Sequence, residues 1–473
     1  MKHRLIFLIP ALSLVIAACN SASESSGGDE RPNILFIAVD DLRPELGCYG
    51  KEYIHSPNIN RLANEGTRFD RSYCNIPVCG ASRASLMTGL RPARNRFLTY
   101  DTWADKDAPG IVTLPGIFRE NGYYTISNGK VFHHDRDAAP SWDEIWHPRS
   151  NSGSWRDYAL PENILKDTTG ERRGPPFERA SVHDTIYKDG KIANKVISDL
   201  RRLKTMDRPF FLASGFLKPH LPFNAPARYW EPYDFKVVLP GNNYPPKDVP
   251  REAMHNFGEL RAYEGIPPEG PVSDLMAMQL IQGYYACVSY TDAQIGKILD
   301  ELERLELDRS TIVVLWGDHG WNLREHGLWC KHCNFETSLH TPLIVKVPGK
   351  KQVDSTDEIV EYVDIYPTLC ELAGIEIPAH VQGRSFKDLL FDEYAKSDGV
   401  AVSQWYAGIT TIRDSWFYTE WVSDSDSAYA RMLYDHSADP DENVNISGKP
   451  DLQGTIRQLS EEMRRSRAPN YFQ

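Results

Sequence analysis

Four polar clusters stand where apolar runs of this chain end. Asp40-Asp41 follow the run 34–39 and Gly129-Lys130 come shortly after 124–127. Lys218-Pro219-His220 follow 209–216, and Gly317-Asp318-His319 follow 311–316. Gathered in one place, the three carboxylates would repel one another unless a cation lay between them. A mainly oxygen donor set suits a hard ion, Ca²⁺ or Mg²⁺, better than zinc. Any one such pair also reads as a solvated turn or a helix cap; its recurrence after separate runs is what points to a site. A further segment, Pro77-Val78-Cys79-Gly80-Ala81-Ser82-Arg83 and on to Thr88-Gly89, opens a helical pattern with a cysteine and sets an arginine one turn along on the same face. The free N–H groups at such a helix start attract anions. The residues alone leave Cys79 open between a buried structural thiol and a thiolate nucleophile.

The elements that must position these groups are legible as patterns. The runs 34–39, 124–127, 209–216, 311–316 and 342–347 are continuous apolar stretches, as expected of strands covered on both faces. Helical periodicity lies between them at 58–65, 81–88, 114–121, 182–204, 274–306 and 359–373. Alternation of the two predicts an α/β sheet with helices on both sides. In such sheets ligands bind outside the carboxyl ends of the strands, so topology alone would bring the four clusters together. Residues 135–180 and 217–273 are rich in Pro, Gly and Trp with little periodicity, and long insertions of that kind are usually functional loops. From 396 onward short β-type stretches (400–404, 410–413, 416–422, 430–434) precede a helix at 452–466. The division this predicts is a catalytic domain over 32–395 and a small α+β subdomain over 396–473.

The composition excludes some classes. With 473 residues, 41% hydrophobic and 11% aromatic, the chain can fill a large core. A net charge of −12 argues against nucleic acid as a partner, so an anionic ligand must be held by a local positive cluster or a metal. At the start, Lys2, His3 and Arg4 precede an apolar run from 5 to 18 that is too short to span a bilayer and fits a secretion signal. It ends in Ala17-Ala18-Cys19, similar to a bacterial lipobox in which Cys19 is lipidated; an ordinary signal peptide is the plainer alternative. Residues 20–31 then read as a Ser/Gly-rich tether. The expected location is the periplasm or outer-membrane surface of a bacterium, anchored by that lipid. Cys330 and Cys333 form one CxxC without a second, which fits a local disulfide or free thiols better than zinc.

The Cys79-x-Ala-Ser-Arg83 stretch followed by Thr88-Gly89 resembles the signature of the formylglycine-dependent sulfatase family, although members usually carry Pro where Ala81 stands. The likeness runs along nearly the whole chain and is closest to the iduronate-2-sulfatase branch. It is carried by 40–50, 56–59, 121–123, 129–133, 218–223 and 318–327, with Trp329, Lys331 and Asn334-Phe335. The loops at 135–180 and 224–272 have no confident counterpart. The resemblance implies an alkaline-phosphatase-like α/β fold with a large mixed sheet. It implies that Cys79 is converted to Cα-formylglycine by a formylglycine-generating or anaerobic sulfatase-maturing enzyme. It further implies one calcium ion held by Asp40, Asp41, Asp318, His319 and residue 79, with Arg83, Lys130, His133, His220 and Lys331 around the sulfate. Trp321 is expected to shape the sugar pocket.

The activity so implied is hydrolysis of a sulfate ester on a sulfated oligo- or polysaccharide, with exo-acting removal of a 2-O-sulfate from a uronic acid favoured. The rivals are a phosphodiester or phosphonate-monoester hydrolase of the same superfamily and a lipoprotein that only binds sulfated glycan. A sugar carboxylate would need one more cation, and the sequence offers Arg43, Arg94, Arg96 and Lys218 without choosing among them.

Overall fold

A computed structural model describes residues 31–466 of the chain. The expected signal at 1–19 and the tether at 20–31, save Arg31, lie outside the described residues. Each long apolar run is a strand: β1 (Asn33–Val39), β3 (Tyr124–Gly129), β5 (Phe210–Phe216), β6 (Thr311–Gly317) and β7 (Leu343–Lys346). Three shorter strands, β2 (Thr67–Phe69), β4 (Glu144–Trp146) and β8 (Ser355–Thr356), are too brief to show a period in the sequence. Together they make one sheet in the order β8-β2-β7-β6-β1-β5-β3-β4.

The central strand β1 pairs in parallel with both neighbours, Ile37 lying opposite Ser214 of β5 and Leu315 of β6. Its residues divide between two cores. Ile34, Phe36 and Ala38 join one, while Leu35, Ile37 and Val39 join the other. A strand with no solvated side has no regular polar alternation, which is why β1 reads apolar from Ile34 to Val39. The sheet is mixed, because β7 runs antiparallel to β6 and β2.

Helices α1 (Pro57–Glu65), α2 (Cys79–Thr88), α3 (Lys188–Leu203), α4 (Asp274–Arg304) and α5 (Ile365–Leu372) cover the two faces. Every residue of α2 is buried. α4 starts at a Ser273 hydroxyl that accepts the Met276 N–H, and its Asp292 carboxylate accepts the N–H groups of Asn58 and Ile59 at the start of α1. Two helices begin later than the periodicity predicts. The expected 182–204 helix starts at Lys188, because Asp184–Ile186 form a separate turn with Asp184 tied to Arg228 and Lys297. The expected 359–373 helix starts at Ile365, because Val360–Glu361 pair with Ser72–Tyr73 and Glu361 and Asp364 form a reciprocal cap.

Near the C-terminus, β9 (Val400–Trp405), β10 (Gly408–Arg413), β11 (Trp416–Val422) and β12 (Ala428–Asp435) form an antiparallel meander. One face packs on α6 (Gln453–Ser466) through Ile456, Leu459 and Met463. The other supplies Ala401, Ile412, Phe417 and Trp421 to the main core, so this sheet is welded to the larger one. Among the described residues no helix is long and apolar enough to cross a membrane.

Candidate active site

The strands β6, β1, β5 and β3 lie side by side and parallel, so their carboxyl ends share one edge of the sheet. Asp318-His319, Asp40-Asp41, Lys218-Pro219-His220 and Lys130 leave from that edge, and α2 points its first residue, Cys79, at the same spot. Close approach there needs glycine. Gly129 has φ +75°, and a Cβ on Gly215 would lie 2.0 Å from the carbonyl carbon and oxygen of Lys130.

The convergence is tight. Cys79 Sγ lies 3.2 Å from His319 Nε2 and 3.9 Å from Asp41 Oδ1. His319 Nε2 is 3.4 Å from Asp41 Oδ1 and 3.6 Å from Asp318 Oδ1. His319 Nδ1 sits 3.0 Å from the Gly320 carbonyl, and donation there leaves the Nε2 lone pair facing the acids. Lys331 Nζ bridges Asp41 Oδ1 at 3.1 Å and Glu259 Oε2 at 2.9 Å, with Lys130 Nζ ion-paired to Asp40 on the other side. His220 Nε2 lies 3.1 Å from Glu259 and 4.0 Å from Asp41.

The field of these charges sets their protonation. Burial, with Asp40 and Glu259 nearby, pushes the Asp41 carboxyl up to about 7 although Lys331 opposes it. Burial also acts against Asp40, yet Lys130, His220 and Arg83 hold it well below the usual carboxylate range. Glu259 is held low in the same way, by Lys331 and His220 against burial. Burial and the charge of Lys130 bring His133 down to about 2, so its imidazole is neutral; its Nδ1 has no partner among the described residues. Burial and Asp40 raise the Cys79 thiol well above its ordinary value, which argues against an unmodified thiolate nucleophile.

The donor set fits a hard divalent ion. Ligand atoms of Asp40, Asp41, Cys79 and His220 all lie within 4.8 Å of one another, as do those of Cys79, Asp318 and His319. A fully buried carboxylate whose titration burial lifts to about 7 is one a cation would relieve. His220, expected beside the substrate, thus stands next to the acids as well.

Three expectations change. Arg83 does not reach the cavity. Its Nε donates to Asp318 at 2.9 Å, its Nη2 to Asp40 at 3.2 Å, and its Nη1 to the carbonyls of Lys130 and Val131. It therefore holds the acids in place, with four of its five N–H donors taken. Trp321 is buried and lies beneath Lys331, whose Nζ sits 4.7 Å from the ring centroid, so it is a floor under the lysine and not a wall for sugar. Of the cations offered for a sugar carboxylate, Arg43 is neutralised by Glu45 and Glu325, and Arg94 by Asp426. Lys218 donates to the carbonyls of His220 and Pro222, and Arg96 to that of Arg91.

The cavity over the cluster has a volume of about 740 Å³ and is lined by Cys79, Lys130, His133, His220 and Lys331. The two insertions close it, 135–180 contributing Asp135, His147, Trp155 and Arg173, and the loop after 224 contributing Glu259. Glu259 carries no motif and sits on the single turn Gly258–Arg261; only the need of buried Lys331 for a second counter-charge could have hinted at it. A larger cleft of about 1080 Å³, lined by Arg43, Tyr49, Arg68, Glu325 and Glu442, contains none of the convergent groups. Among the described residues all seven cysteines are free, Cys330 and Cys333 included.

A parallel-sheet edge that sets a helix-start residue among buried acids and lysines, under a cavity, suits the binding of an oxyanion. The family described as Sulfatase matches residues 32–375, and a second, described as N-sulphoglucosamine sulphohydrolase, C-terminal, matches 324–469. Iduronate 2-sulfatase of Homo sapiens is 34% identical over 427 residues, covering 81% of this chain and 76% of that protein. Among solved structures, the phosphonate monoester hydrolase of Agrobacterium radiobacter superposes with a TM-score of 0.76 at 20% identity, over 92% of this chain and 95% of that one. A 2-O GAG sulfatase superposes with a TM-score of 0.70 at 21% identity, over 93% and 96%. The chain belongs to the sulfatase family. It has the alkaline-phosphatase-like sulfatase fold and is a sulfuric ester hydrolase, of a family that generally uses formylglycine and a divalent metal.

Proposed function

We propose that this sulfatase removes a 2-O-sulfate from a uronic acid or related sugar at the end of a sulfated oligo- or polysaccharide. It would do so with a formylglycine made from Cys79 by a maturing enzyme and with one calcium ion. The chemistry rests on one observation, the burial of the signature residue Cys79 among Asp40, Asp41, Asp318 and His319 at the base of a cavity. The substrate rests on the 34% identity to an iduronate 2-sulfatase.

A calcium ion held by Asp40, Asp41, Asp318, His319 and residue 79 would supply Lewis acidity toward the sulfate. A hydrated formylglycine would supply two hydroxyls on one carbon, which a serine or thiol lacks. The remaining work falls to this chain's own side chains. Lys130 Nζ and Lys331 Nζ flank the acid pair, where their charges would stabilise sulfate oxygens once they turn from Asp40 and Asp41 toward them. Arg83 locks Asp40 and Asp318 in position. His220 has its Nδ1 2.5 Å from the Leu221 carbonyl and its Nε2 beside Glu259, so a protonated ring has acceptors on both sides, while burial and Lys331 act to lower its pKa. His220 Nε2 or Lys331 Nζ returns a proton to the departing sugar oxygen. His133 lines the same cavity and its Nδ1 has no partner among the described residues; it would accept the proton from the nucleophile's side, against the burial and the Lys130 charge that lower its basicity. Lipidation of Cys19 would hold the enzyme in the periplasm or at the outer-membrane surface of a bacterium, and the intact mass of the mature N-terminal peptide tests that.

The test of substrate is a panel of defined sulfated oligosaccharides with sulfate release followed at each ring position, beside nitrophenyl sulfate and nitrophenyl phosphate. Preferred turnover of 2-O-sulfate at a chain end is expected. Activity confined to 6-O- or N-sulfate would overturn the sugar assignment, and preference for phosphate or phosphonate esters would overturn the sulfatase chemistry itself.

A further inference from the structure

The cations lining the cavity fall into two sets. Lys130, Lys331 and His220 each face a carboxylate at ion-pair distance, from Asp40, Asp41 or Glu259, and His147 faces Asp135 at 3.4 Å. Arg173 and Lys188 also line the cavity, and neither makes an ion pair among the described residues. Among the described residues Lys188 Nζ donates to the Trp155 carbonyl at 3.4 Å, and burial draws its pKa down against the charges of Asp157, Asp135 and Asp189. Asp157 nearby is already occupied by the backbone N–H groups of Lys188 and Asn151. The Arg173 guanidinium lies 5.7 Å from the Trp155 ring and 5.4 Å from the Tyr263 ring.

Both cations therefore gather around Trp155, which is 45% exposed despite being a large apolar side chain. The same indole meets the His220 imidazole edge to face, with centroids 5.6 Å apart. One aromatic side chain thus runs from His220 to two cations that make no ion pair among the described residues; Asp157, Asp135 and Asp189 act on Lys188 only from beyond ion-pair distance. Arg156, ion-paired to Asp167, also lies 5.2 Å from this ring. The part of the indole left exposed suits the C–H side of a sugar ring, and the Arg173 guanidinium fork suits a planar or tetrahedral oxyanion.

We infer that Trp155, Arg173 and Lys188 form a subsite for a second anionic group on the sugar bearing the scissile sulfate, a ring carboxylate or a second sulfate. This deepens the reading above and rests on it. It also supplies the cation that Arg43, Arg94, Arg96 and Lys218 do not.

The experiment compares Arg173→Ala, Arg173→Gln and Arg173→Lys with the parent enzyme on four substrates. These are a uronic acid 2-O-sulfate, its carboxyl-reduced counterpart, a disulfated neutral sugar and nitrophenyl sulfate. Folding is checked by circular dichroism; Arg173→Gln keeps most of the volume if the alanine variant fails to fold. The ratio of kcat/KM for a dianionic over a monoanionic substrate should fall about 10- to 100-fold in the alanine and glutamine variants, mainly through KM, with partial rescue by lysine. A ratio that falls for the uronate identifies a carboxylate, and one that falls for the disulfated sugar identifies a sulfate; either supports the subsite. An unchanged ratio for both dianions would overturn it. If the parent enzyme turns over neither dianion, each is used to inhibit nitrophenyl sulfate turnover. That result refutes the substrate assignment, while the subsite stands or falls on whether dianion inhibition weakens about 10-fold in the variants.

Discussion

Replacing Gly215 on β5 by alanine would drive a methyl into the backbone that carries Lys130. The new Cβ would lie 2.0 Å from the Lys130 carbonyl carbon and oxygen and 2.4 Å from the Val131 nitrogen, where real contacts begin beyond 3.0 Å. The opposing atoms are main chain, so no side-chain rotation relieves the overlap and the 130–131 segment must retreat by about 1 Å or more. That segment supplies Lys130 Nζ to Asp40 and two carbonyls to Arg83, which in turn holds Asp40 and Asp318. A positioning error of that size costs on the order of 100-fold in rate, whereas overpacking costs about 1–3 kcal/mol of stability. The expected variant is folded, melts several degrees lower, and hydrolyses nitrophenyl sulfate about 100-fold more slowly than the parent. Gly241→Ala, where nothing lies within 4 Å of the added carbon, is the matched control and should change neither property. Melting curves and kcat/KM on the same preparations decide. Parent-like turnover in folded Gly215→Ala would refute the claim that this glycine contact sets the geometry of Lys130 and Arg83.

Cys79→Ser should lower turnover by about 1,000-fold or more with the fold intact; normal turnover would remove formylglycine from the account. Exhaustive chelation should abolish activity, and added Ca²⁺ should raise the melting midpoint of the chelated parent but not of Asp41→Asn; an unchanged midpoint and full activity after chelation would refute the metal site. Lys331→Ala and His220→Ala should lose more on a sugar sulfate than on nitrophenyl sulfate, whose phenolate leaves without a proton; equal losses would assign both to sulfate binding instead. Burial raises the Asp292 carboxyl from 3.8 to about 6 in the folded protein, so its contribution favours folding below about pH 4 and is lost as pH rises through 6. Asp292→Asn should flatten stability against pH across that window in urea titrations, and an unaltered slope would show that this carboxyl does not titrate there.

Much of the architecture was written in local pattern. A strand covered on both faces is mostly apolar, so β1, β5, β6 and β7 announced themselves and β3, with buried Thr125, Ser127 and Asn128, did so less plainly. The rule that ligands gather at the carboxyl ends of parallel strands brought Asp40, Asp41, Lys130, His220, Asp318 and His319 together in advance. Cys79 was marked by its own segment, because a helix start followed by Arg83 is a local feature. The direction of β7 and the strands β2, β4 and β8 were not legible, since two or three residues carry no period and pairing direction depends on partners far along the chain.

The roles of individual charges were decided only by tertiary contacts. Whether a buried cation is free or spent depends on what lies opposite it across the fold: Arg43 is neutralised by Glu325, Arg83 by Asp318, and Lys331 by Glu259. None of those partners is a sequence neighbour of the residue it pairs with. The cavity wall came from the aperiodic insertions, where backbone conformation follows from packing and not from propensity, so Trp155, Arg173, Lys188 and Glu259 could not be ranked before their surroundings were known. The sequence alone thus determined which polar groups meet at the sheet edge, because they recur in register with strands and a helix. The tertiary structure alone decided which cations remain open to a substrate, because charge neutralisation acts through space.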